Sequence, residues 1–253
     1  MANAKKKSNA VVKLDTEFTG LQQMTSDKVM YAIQSNLEKE SITPFDLVKL
    51  SVPPGGITSW QFPDDEAESG FKSIDVIDGV LLDYKAVKAY WEHSFDEGGG
   101  GTPPDCSSND NIHGIGTVGG DPPGSLCDHC ALNQFGSAGE GRKGKACKEM
   151  RLLFLLPKKA VTPLVIGLPP TSLKGFRQYL MRLSSGEKPC AYNEVVTKFK
   201  LRREDKPMPH GIVVPSRGAN LSDAELIAIE RYRSAFASMW ESVTIDDMTD
   251  SEG

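Results

Sequence analysis

Four cysteines, at 106, 127, 130 and 147, constrain this chain more than any other feature, because they bracket a segment that could not hold itself together otherwise. Residues 103–148 are rich in Gly, Ser, Asn and Pro and show little hydrophobic periodicity. A stretch that long without a core of its own needs a staple. The spacing Cys106-x20-Cys127-x2-Cys130-x16-Cys147 offers one. Two residues between Cys127 and Cys130 let both thiolates reach one ion from a tight turn, and a tetrahedral Zn²⁺ takes four such ligands. The expectation is one structural zinc held by all four, with a folding contribution on the order of 10 kcal/mol. Other readings stay open from spacing alone: a redox pair at 127/130, His113 or His129 in place of one cysteine, or an iron–sulfur cluster. Cys190 stands apart and reads as a core thiol.

The rest of the chain has the composition of a globular protein, with 39% hydrophobic and 25% charged residues. No apolar run approaches the roughly 20 residues of a membrane helix, and no hydrophobic segment follows the lysines of residues 1–10 as a secretory signal requires. A cytoplasmic location is expected, where clustered cysteines bind metal more often than they pair.

Charge is unevenly spread. Residues 139–203 hold fifteen Lys/Arg against four Glu, within a protein of net charge −5. The last thirteen residues carry five acids and no base. A basic middle suggests a polyanionic partner, and an acidic end suggests a solvated or docking tail.

Pattern places a helix after Ser26, with Val29, Ile33 and Leu37 at helical spacing, and a strand over 57–62. Asp78-Gly79 suggests a hairpin between 74–76 and 80–82, although alternation through Tyr84, Ala86, Lys88 and Tyr90 also fits one long bent strand. Strands are expected at 152–156, 164–168, 194–201 and 211–215. A helix capped by Thr171 or Ser172 should end at Gly186, and another should begin at the capping box Ser222-Asp223-Ala224-Glu225. The expected fold is α+β, mainly antiparallel: an OB-like barrel over 25–240 with a zinc-binding insertion at 103–148 and a C-terminal helix. Residues 1–24 and 241–253 are expected to be disordered.

Single-strand binders combine a basic groove with aromatic rings on which bases stack. The candidates are Trp60, Tyr84, Tyr90, Trp91 and Phe135, together with Arg142, Lys143, Lys145, Lys148, Lys198, Lys200 and Arg202. Phe135 lies in the cysteine loop, where a large ring has little core to join. The segment 139–146 approaches a P-loop but has Ala146 where a hydroxyl should hold Mg²⁺. Its glycines and cations suit backbone phosphates better.

The strands, the zinc loop between them and the acidic end Asp246-Asp247-Met248-Thr249-Asp250-Ser251-Glu252-Gly253 resemble the single-stranded-DNA-binding proteins of phages and mobile elements. The resemblance implies a non-enzymatic protein of replication or recombination, with single-stranded DNA in the groove and partner proteins met by the acidic tail. Two other functions fit the residues: a zinc-stabilised adaptor that makes no nucleic-acid contact, and a nuclease using Asp75, Asp78 or Asp83.

Overall fold

The computed structural model describes residues 16–18, 21, 35–36, 42–64, 66–93, 102–118, 122–139 and 143–248. The helix expected after Ser26 therefore falls almost wholly outside the described residues. Among them the chain is α+β. Its organising element is β4 (Val76–Tyr90), a strand of 15 residues. Along one edge β4 pairs antiparallel with β6 (Lys148–Pro157), and along the other with β8 (Val195–Glu204) and then β5 (Cys106–Ser108). Beyond β6 lies β7 (Leu164–Leu168), with β1 (Lys49–Ser51) parallel to it, and beyond β8 lies β9 (His210–Asn220). These seven strands make a mostly antiparallel, curled half-barrel. A separate hairpin joins β2 (Trp60–Pro63) to β3 (Phe71–Ile74).

The hairpin considered at Asp78-Gly79 does not form; both residues lie inside β4. Gly79 is needed there for close approach, not for turning: a Cβ would stand 2.4 Å from the carbonyl oxygen of Leu156. A bulge between Leu81 and Asp83 then reverses the alternation of β4. Before it, Val80 faces one core and Ile77 and Leu81 the other; after it, Val87 and Ala89 face the first and Tyr84 the second. That one extra residue decides which way Lys88 and Tyr90 point.

Among the described residues two long helices pack on the sheet, one against each of its two cores. α1 (Pro170–Ser185) packs Phe176 with Leu153, Leu155, Phe199 and Val213. Its N-terminus is Pro169-Pro170, with no side-chain cap. Ser172, expected to cap, is buried and instead accepts the Val213 N–H at 2.9 Å, which satisfies an edge-strand donor. α2 (Asp223–Ser242) lays Ile229, Tyr232, Met239 and Trp240 over Val80, Leu82, Phe154 and Leu156. Its capping box forms as expected, the Glu225 carboxylate accepting the Ser222 N–H at 2.8 Å.

Both ends reach further into the core than composition suggests. Phe18 and Leu21, expected in a disordered N-terminus, are buried in the α2 core, and Thr16 donates to Glu225. Residues 241–248, expected in a disordered tail, finish α2 and form a short 3-10 turn with Val243, Ile245 and Met248 buried. The apolar residues at 243, 245 and 248 outweigh the acids between them. Residues 249–253 lie outside the described residues. Among the described residues no helix is long and apolar enough to cross a membrane.

Candidate functional site

The segment from Cys127 to Cys130 is a tight turn, the Cys130 N–H donating to the Cys127 carbonyl. Its carbonyls are held from the following 3-10 turn (Ala131–Asn133) by side chains. Asn133 Nδ2 donates to Cys127 O at 2.8 Å, and Gln134 Nε2 donates to Asp128 O at 3.0 Å and Cys130 O at 3.3 Å. Lys145 Nζ then donates to Asn133 Oδ1 at 3.1 Å. The knuckle is thus fixed by amides that spacing alone did not single out. The Cys127 N–H donates to the Ile112 carbonyl at 2.8 Å, tying the knuckle to the segment that follows β5.

Cys106 opens β5 opposite Tyr90, and Cys147 immediately precedes β6 on the other side of β4. Two glycines make room for the sulfurs. A Cβ on Gly114 would lie 3.3 Å from Cys106 Sγ and 3.9 Å from Cys127 Sγ; one on Gly116 would lie 2.7 Å from Cys106 Cβ. The Ile115 N–H donates to the Ser107 carbonyl at 2.9 Å, and the backbone N–H groups of Gly116 and Ile115 lie on the side of the Cys106 thiol and favour its charged form. Burial raises the Cys106 thiol pKa above its ordinary value, and Cys127 and Cys130 raise it further against those backbone donors. Burial pushes Cys147 up to about 11; Cys127, Cys106 and Cys130 add to the rise and Lys88 opposes it. Each outer thiol therefore feels the other three sulfur positions or the knuckle pair. All four are free thiols. Among the described residues no group of three or more His, Cys, Asp or Glu side chains is drawn together tightly enough to hold a metal ion as it stands. Cys106 Sγ and Cys127 Sγ flank Gly114 from two sides, and no closed ligand shell forms among the described residues.

His113 does not join them. Its Nδ1 pairs with Asp110 Oδ2 at 2.7 Å, and both side chains are about half exposed. His129, inside the knuckle, is also exposed.

Phe135 projects from this loop with 83% of its surface exposed. Gly136, at φ 90°, turns the chain behind it and donates its N–H to the Gly144 carbonyl at 3.0 Å. Lys145 Nζ stands 5.1 Å from the ring centroid. Lys143 and Lys148 are exposed nearby in sequence, and Arg142 lies outside the described residues.

The strand aromatics divide differently. Trp60 is fully buried and donates Nε1 to the Phe199 carbonyl at 3.1 Å, so it offers no face to a base. Tyr84 meets Phe176 and Tyr192 edge-on at 5.4 and 5.3 Å and belongs to the α1 core. Trp91 packs partly against the α2 core and donates Nε1 to Thr102 O at 2.9 Å. Tyr90 is half-buried beside Cys106. Alternation in a strand reports only that one face is occupied, and here the core took most of the rings.

Lys198, Lys200 and Arg202 are exposed at alternate positions of β8, on one face, at intervals of roughly 6.7 Å. Their cross-strand neighbours on β9 are Ser216, Val214 and Ile212. Arg202 pairs with Glu204 at 3.4 Å; among the described residues Lys198 and Lys200 have no ion-pair partner. This stripe continues the face of Val196, which packs in the α2 core, whereas Cys106 shares the face of Tyr90 at the far end of β4. The basic residues read from sequence as one set are two clusters.

No family model, no curated protein and no solved structure gives a significant match to this chain.

Proposed function

We propose that the protein binds single-stranded DNA without catalysing a reaction on it, and that its cysteine loop is pinned by one structural zinc. The observation that carries this is Phe135: a ring 83% exposed, on a loop stiffened by side-chain hydrogen bonds, with a lysine ammonium 5.1 Å from its centre. Exposing a ring of that size forgoes about 2 kcal/mol of burial. A base stacked on it recovers a comparable amount, about 1–3 kcal/mol per stack. The lysine adds attraction for phosphate, and the exposed Lys143 and Lys148 extend it.

The zinc is proposed from the donor set: four thiols and no other described ligand at hand, a soft tetrahedral preference. Closing the shell requires the sulfurs to draw inward over Gly114 and Gly116, where the absence of a Cβ leaves room. A curled antiparallel sheet with a long central strand supports the OB-like identity, with the cysteine segment as an insertion between β4 and β6.

The β8 stripe is a second contact for longer strands. Its cations are spaced much as successive phosphates are along an extended nucleotide chain.

A second reading, the zinc-stabilised adaptor, is favoured by Ile112, Ile115 and Leu126, which are also exposed on the loop. Fluorescence anisotropy of a labelled oligonucleotide separates the two, run beside a duplex of the same sequence. Single-strand binding that weakens steeply with salt is the expected result. Preference for the duplex, or no binding at low salt, removes the proposal and leaves the adaptor.

A further inference from the structure

Among the described residues Lys88 is the one charged side chain that is buried: only 6% of it is exposed, and Val87 and Ala89 on either side of it are fully buried. The bulge in β4 turns it onto the same face as Cys106, between Ser108 of β5 and Glu149 of β6, two residues along the strand from the Cys106 level. Its Nζ donates to the main-chain carbonyl of Asn111. Asn111 is held in the left-handed region, at φ 64°, and its own side-chain oxygen is buried without a hydrogen-bond partner. Glu149 is the obvious counter-ion, being directly cross-strand, but it pairs with Arg151 at 2.9 Å instead.

An ammonium taken out of water with one neutral acceptor is costly, and such groups are retained when an anion compensates them. The register sets Lys88 two residues along β4 from Tyr90, the level at which Cys106 opens β5 and next to which Cys147 precedes β6. The thiolates of a metal-bound cysteine centre there would supply that anion. Four of them around a divalent ion leave a net charge of about −2, and a cation buried beneath offsets part of it. We propose that Lys88 is the built-in counter-charge of the cysteine centre and tunes how tightly that centre holds its metal. This rests on the zinc reading given above. Lys88 touches no metal in this role; it acts through the field at the sulfurs and is a positioning residue in the electrostatic sense. Spacing along the chain does not reveal it, since Lys88 reads there as one of several basic residues between aromatics.

Cobalt(II) substitution of the full chain tests it. Wild type should take up one Co²⁺ with the intense sulfur-to-cobalt charge-transfer band of a tetrathiolate site. Competition with a chelator gives the affinity. Lys88→Met should lower that affinity about 10- to 100-fold, the range typical of groups behind the ligands. It should also move the charge-transfer band to longer wavelength, because sulfur electrons are held less tightly without the nearby positive charge. A loss of packing alone does not predict that spectral shift. Lys88→Gln, neutral but able to keep the bond to Asn111, should behave like Lys88→Met and serves in its place if the latter fails to fold. Glu149→Gln should change neither quantity. Wild type that binds cobalt normally, with Lys88→Met and Lys88→Gln unchanged in affinity and spectrum, overturns the role of Lys88 while leaving the metal centre standing. Wild type that binds no cobalt or zinc overturns both.

Discussion

The backbone N–H of Cys147 donates to the carbonyl of Leu132 at 2.9 Å, and the Ser137 hydroxyl donates to the same oxygen at 2.8 Å. The fourth thiol is thereby tied to the turn that presents Phe135. Holding the cysteines and holding the ring are one mechanical problem, so metal and stacking should be coupled. Stripping the metal with a chelator should weaken single-strand binding at least as much as deleting the Phe135 ring. The circular dichroism of the main sheet should persist, because that sheet has two cores of its own.

Phe135→Ala should cost about 1–3 kcal/mol of single-strand affinity, measured by anisotropy at fixed salt. Its melting temperature should be unchanged, since the ring packs against almost nothing. Trp60→Ala is the contrast. Removing that buried ring and its bond to Phe199 O should cost about 3–5 kcal/mol of stability, with no loss of affinity per folded molecule. An affinity loss for Trp60→Ala without destabilisation would contradict the assignment of Trp60 to the core.

Much of the fold was legible because period and punctuation agreed. The capping box at Ser222 formed, and the apolar runs at 152–156 and 164–168 are β6 and β7. Asp78-Gly79 misled because a glycine that lets two strands approach closely looks, in sequence, like one that turns a chain. Phe18, Leu21, Val243 and Ile245 were hidden in polar surroundings, where single apolar residues show no period. At the candidate site the cysteine spacing was readable, but Asn133, Gln134, Gly114 and Gly116 were not. They act by satisfying or clearing backbone a few residues away, which no spacing rule encodes. Lys88 required the bulge to be known before its direction could be.

The β8 stripe should matter only when the nucleic acid is long enough to reach it. With an oligonucleotide of about 8 nucleotides, within the span of one small binding domain, Lys200→Ala should leave binding unchanged. With a strand several times longer it should reduce the slope of log affinity against log salt by about 0.7, the value for one phosphate contact on a single strand. Equal effects at both lengths would place the stripe and the cysteine loop in one groove.

Acid stability should report on the α2 cap. Burial raises the Glu225 carboxyl pKa, but hydrogen bonds from Thr16 and Ser222 outweigh it and leave the pKa below the ordinary value. A group with a depressed native pKa contributes stability above its unfolded pKa and loses it as pH falls through the native one. The contribution should therefore be complete above about pH 5 and fade below about pH 4, near the reference carboxylate range. Glu225→Gln should lower stability at neutral pH and flatten this acid limb in urea titrations. A steeper acid limb in the variant would contradict the sign.

Metal content tests the four-thiol centre most directly. Protein purified without chelator and measured by elemental mass spectrometry should carry one zinc per chain, and Cys127→Ser should carry none. Folded wild-type protein free of metal, with stability unaffected by added zinc or by chelator, would contradict the account.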